Sequence, residues 1–153
     1  MRVPTLSVIA LAAASLAAAP ALAQECRALV PPVQSNDILA ELAFYDFGEH
    51  MELQVNTPTQ PSGLDFAVQI DGEDRPDILL VPGLDDILLS LTPANGDLAI
   101  DLAFLSTIVD GKNLQITGYR DGSIEALASY DIAELAAGLV RCGLRCFGRF
   151  AAL

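Results

Sequence analysis

The chain has 153 residues, with 20 acidic against 8 basic side chains and a formal net charge of −12. A field of that sign repels phosphate backbones and anionic lipid, which argues against nucleic acid as a partner. Beyond the N-terminal leader no apolar run reaches the length of a membrane span: residues 98–109 come nearest, and Asp101 interrupts them.

The leader itself is tripartite. Arg2 gives a positive start, residues 6–19 are an uncharged run of Ala, Leu, Val, Ile and two serines, and Pro20 breaks any helix ahead of Ala21-Leu22-Ala23. Small-x-small is the pattern a signal peptidase cuts after, and the run is too short for an anchor. A lipoprotein would need a small residue directly before Cys26, where Glu25 stands. A cleaved signal over 1–23 and a soluble mature chain starting at Gln24 are therefore predicted, with a periplasmic or secreted destination. Removing 23 of the 153 residues leaves 130, the size of one domain, and loss of Arg2 takes the charge from −12 to −13. The positive mean hydropathy of +0.44 is inflated by the leader.

In the mature part, residues 28–30 ahead of Pro31-Pro32 read as a lead-in edge. Residues 38–47 carry two signals. Ser35-Asn36-Asp37 suits a helix cap with Ile38, Leu39 and Leu42 on one face, whereas Ala43-Phe44-Tyr45-Asp46-Phe47 before Gly48-Glu49 suits a strand and turn, and the second half is assigned to strand. Residues 50–57 alternate as a half-buried strand, with Met51, Leu53 and Val55 inward and Glu52, Gln54 and Asn56 outward. Residues 58–63 are a loop. Residues 65–71 alternate again with Phe66, Val68 and Ile70 inward, 72–76 form a polar turn, and 78–81 read as a short buried strand stopped by Pro82-Gly83. Asn95-Gly96 signals a hairpin between 87–91 and 98–100. Asp101 is a plausible N-cap for a short helix carrying Leu102, Leu105, Ile108 and Val109. Residues 113–120 and 123–130 are strands joined by the tight turn Asp121-Gly122. Asp131 caps a last helix, 132 to about 142, with Ile132, Leu135, Ala136 and Leu139 on one face and Gly143 at its end. The total is six to eight short strands closed by a C-terminal helix: a single mainly-β, sandwich-like domain over 24–153.

The last third, with an apolar helical turn, Gly111-Lys112-Asn113-Leu114-Gln115-Ile116, the Asp121-Gly122 hairpin and a capped helix ending at Cys142, resembles the tail of the invasion-associated locus B family. That resemblance covers residues 99–142. It implies a small exported bacterial β-sandwich associated with the envelope or host cells, and no catalytic residue. The chain departs from the family's pattern in having no tryptophan and no cysteine between Cys26 and Cys142.

Three cysteines in an exported chain make one disulfide the default. Cys26 joined to Cys142 or to Cys146 would close a loop of more than 100 residues, and Cys142 is preferred because it lies within the predicted helix; Cys142 with Cys146 is the local alternative. A zinc site from the cysteines and His50 has scattered ligands, and Asp71-Gly72-Glu73-Asp74 with Asp77 does not match a calcium loop, so no metal and no cofactor is implied. His50, the one histidine, has no Gly-x-Ser-x-Gly elbow to serve. Asp85-Asp86 reads as a turn or a helix start. Arg141, Arg145 and Arg149 recur at four-residue spacing as one stripe, either answering the negative end of the helix or docking an acidic partner. These residues point to a non-enzymatic exported binding domain with a protein partner in the envelope or outside the cell. A carboxylate-based hydrolase with an acidic cleft and a purely structural envelope component are the alternatives. A pocket of converging, shifted carboxylates would support the hydrolase, and an exposed sheet edge or apolar patch the binding domain.

Overall fold

A computed structural model describes residues 26–58, 62–83 and 88–144. The leader, Asp85-Asp86, Arg145, Cys146 and Arg149 lie outside the described residues. Two antiparallel five-stranded sheets stand over one core. The first runs in the order β1 (Cys26–Val30), β3 (Leu42–Asp46), β4 (Met51–Asn56), β8 (Leu88–Pro93) and β7 (Ile78–Pro82). The second runs β2 (Gln34–Ser35), β10 (Ser123–Asp131), β9 (Asn113–Arg120), β5 (Asp65–Ile70) and β6 (Glu73–Asp74). Helix α1 (Leu102–Val109) precedes β9, and helix α2 (Ile132–Arg141) follows β10. The mainly-β, sandwich-like fold with a C-terminal helix is as the sequence predicts.

Alternation places the core. Across the first sheet Ala28, Phe44 and Leu53 fall in one row through registers Ala28↔Phe44 and Phe44↔Leu53, and all three are buried. From the second sheet Val68, Ile116 and Ala128 lie opposite one another in the same way and meet them in one cluster. Tyr130 is buried completely, and its hydroxyl donates to the Ala40 carbonyl; burial and the nearby Glu41 carboxylate push the phenol's pKa up. A buried phenol of that size is tolerated because its one polar atom has a partner.

Both hairpin turns of the second sheet use Asp-Gly. Asp71 and Gly72 have φ of +53° and +83°, and Asp121 and Gly122 have +51° and +81°. Two successive positive φ values make the turn whose twist matches the strands it joins. Asp71 also reaches across to β9: its Oδ1 accepts the backbone N–H groups of Lys112 and Asn113 at 3.0 and 2.9 Å. Those two bonds hold its carboxyl below the usual carboxylate range, with a smaller push from the Lys112 charge. A depressed pKa stabilises the fold above the unfolded value and loses that contribution as pH falls through the folded one. The Asp71 carboxyl is therefore expected to titrate below about 3.9 by NMR. Asp71→Asn should be less stable than wild type at pH 7, with the difference closing as the solution is acidified.

Both helix caps are as predicted. Asp101 Oδ1 accepts from Phe104 N at 2.8 Å, and Asp131 Oδ1 from Ala133 N at 2.9 Å. Asp131→Ala is expected to lower the unfolding free energy by about 1 kcal/mol, measured by denaturant titration.

Of the two signals over 38–47 the strand holds in the second half, where β3 begins at Leu42, and no helix forms ahead of it: β2 pairs with β10 and Asp37 takes φ +74°. Three expectations are corrected. Strand 98–100 does not pair with β8 across Asn95-Gly96, because β4 and β7 already occupy both edges of β8. The turn exists, with Gly96 N donating to Pro93 O, but it carries the chain to a single bridge between Ile100 and Met51. Strand β4 is not half-buried, since Glu52 and Gln54 are as enclosed as its apolar side. The polar piece 72–76 contains a two-residue strand, β6, on β5. Among the described residues no helix is long and apolar enough to cross a membrane.

Candidate functional site

The ends of two sheets make four edges, and they are unequally protected. β2 and β6 are two residues each. β1 carries exposed Arg27, packs against α2, and is bonded to the chain beyond that helix through Cys26–Cys142. β7 is the exception: Ile78-Leu79-Leu80-Val81-Pro82 is five residues long, has no charge, and among the described residues pairs only with β8. Edge strands usually carry charge, proline or brevity against unwanted pairing, and β7 has only its terminal proline.

Directly alongside, β5 is also incomplete. β6 covers only Gln69 and Ile70, and Val68 accepts from Arg75 N at 2.8 Å, so among the described residues Asp65, Phe66 and Ala67 have no strand on that side. The two bare edges flank an open groove of about 450 Å³ walled by Phe66, Tyr119, Ile78 and Leu79, with Asp74 and Arg75 at its end. The Arg75 charge is neutralised locally by bidentate bonds to Asp77, at 2.9 and 2.7 Å, which hold the Asp77 carboxyl below its usual range. Asp74 lines the groove, and exposed Glu73 stands close enough to act on the Arg75 charge, so the side walls are apolar and the end carries net negative charge. The strand over 78–81 is not buried as its apolar run predicts: only Ile78 is buried. The available signal was Pro82, since a proline in a strand confines it to an edge.

A second feature lies on the outer face of the first sheet. His50 Nε2 meets Glu52 Oε2 at 2.8 Å, and Gln54 Nε2 donates to Glu52 Oε1 at 2.9 Å. Gln54 stands opposite Ser90, and the buried Ser90 and Thr92 hydroxyls make no hydrogen bond. The His50 ring also stacks on Phe47, and Phe47 on Tyr45. His50 therefore closes a hydrogen-bonded row rather than standing beside a nucleophile.

Of the residues singled out in the sequence, Cys26 and Cys142 are bonded, with Cα atoms 5.5 Å apart. Arg141 is exposed at the end of α2, and Arg145 and Arg149 lie outside the described residues. Asp71, Asp74 and Asp77 answer three different partners: the start of β9, Gln69, and Arg75. A second groove, of about 440 Å³, is lined by Asp77, Asp97 and Asp101, but these acids serve Arg75, Ala99 N and Phe104 N respectively. No group of three or more metal-binding side chains gathers among the described residues. No family model, no curated protein and no solved structure matches the chain.

Proposed function

We propose that the mature chain is a non-enzymatic binding domain, exported to the periplasm or beyond, that engages a protein partner through the corner between β5 and β7. The observation that carries this reading is the adjacency of two strand edges without partners beside an open apolar groove. Unpaired backbone next to apolar walls is how protein modules capture extended segments. The tripartite leader and the resemblance of residues 99–142 to an exported envelope family support the destination. The test is a photo-crosslinking side chain at Leu79, with one at exposed Ile124 of β10 as the control, in protein returned to its native envelope. Adducts of defined mass from Leu79 alone are expected. Equal labelling from both positions, or none from Leu79, would overturn the assignment.

A further inference from the structure

The geometry points to strand addition at this corner: an extended segment of a foreign protein, basic at its ends, pairs antiparallel with β7 around Leu80. This deepens the binding reading above and rests on it.

The phase of the ladder decides which backbone groups are free. Gly83 N donates to Leu88 O at 3.0 Å, and the register continues through Val81↔Ser90 and Leu79↔Thr92. In an antiparallel pair, directly bonded positions alternate, so Val81 and Leu79 turn both their groups to β8. Ile78, Leu80 and Pro82 then face outward. Ile78 N is already used on Arg75 O at 3.1 Å, and Pro82 has no N–H. The bare edge thus offers one donor, Leu80 N–H, and three acceptors, the carbonyls of Ile78, Leu80 and Pro82.

That pattern discriminates between occupants. A second copy of β7, laid antiparallel with Leu80 opposite Leu80, would exchange two bonds at the centre. It would then set each Ile78 carbonyl against a Pro82 that cannot donate. Two mature chains, each of net charge −13 once Arg2 is lost from the −12 of the full sequence, also repel each other. A foreign strand with an N–H at each facing position completes four bonds. Asp74 lines the groove and Glu73 stands near Arg75, whose own charge is neutralised by Asp77, so the favoured segment carries Lys or Arg at its flanks.

The probe is a capped peptide of alternating Val and Thr flanked by two Lys at each end, titrated into the mature protein and read by amide exchange and chemical shift. Leu80 N–H should exchange freely in the unbound protein and become protected on binding. Methylating the peptide nitrogens that face β7, or replacing its Lys by Glu, should weaken binding at least about tenfold. Leu80→Pro removes the one free donor without touching the β8 ladder, and should abolish binding with an unchanged far-ultraviolet spectrum. Equal binding by the methylated peptide would overturn strand addition, as would protection of Leu80 N–H in a self-associated dimer. A Leu79 adduct without peptide binding would sink strand addition and leave the binding reading standing. Absence of both would sink the two together.

Discussion

Removing the Cys26–Cys142 bond, through Cys26→Ser with Cys142→Ser, is expected to lower the unfolding free energy by about 4 to 5 kcal/mol at neutral pH. The bridge spans a sequence separation of 116, so the unfolded chain it constrains is nearly the whole described domain. Domains of this size have about 5 to 15 kcal/mol in total, so the loss would be a large part of the stability. The site of attachment adds to the argument. Cys26 opens edge strand β1, whose outer side has no strand among the described residues, and Cys142 directly follows α2, which packs on β1. The bond therefore anchors an edge strand at the start of the described chain, where fraying would otherwise begin. Denaturant melts of the oxidised protein against the double variant measure the difference, and a loss under about 1 kcal/mol would show that the long loop is not what the bond constrains. The remaining cysteine, Cys146, should appear in a non-reducing peptide map as the alkylated thiol, with Cys26 and Cys142 recovered in one linked pair.

Where local chemistry was sufficient, the fold was legible from residues alone. Asp101 and Asp131 announce helices because a carboxylate before an apolar 3.6-residue period has few other uses. Asp121-Gly122 announces a hairpin because both residues tolerate positive φ. Asp71-Gly72 carries the same signal at the start of the polar turn 72–76. Gly143 takes φ +89° just beyond α2, as a helix-ending glycine does.

What stayed hidden depends on neighbours the sequence does not list. Glu52 and Gln54 alternate correctly with Leu53 and Val55, yet they are buried as deeply, because each finds a hydrogen-bond partner in the row that starts at His50. Alternation reports which side a residue faces, not whether that side meets water. Asn95-Gly96 turns the chain as its residues demand, but a turn joins two strands only if the second finds a free edge, and β8 has none. The candidate site was the least visible part. An edge is a property of strand order, and only Pro82 hinted that 78–82 ends a sheet rather than filling its middle.

Gly138→Val is expected to destabilise the domain by about 3 kcal/mol, the upper end of what overpacking costs. Gly138 lies on the buried face of α2, and a Cβ placed there would stand 2.6 Å from the Cβ of Ala28, closer than two such atoms approach. Neither side can yield easily. Ala28 is fixed in the β1–β3 ladder opposite Phe44, and the disulfide just beyond the helix ties α2 to the same strand. Helix propensity pulls the other way, since replacing glycine by alanine inside a helix gains roughly 0.5 to 1 kcal/mol when nothing is in contact. The sign of Gly138→Ala is therefore diagnostic. A loss, partly recovered by adding Ala28→Gly, would show that close helix-to-strand contact is what selects glycine here. A gain in stability from Gly138→Ala alone would mean that α2 can lift away from β1, and the tight seating of the C-terminal helix would be wrong.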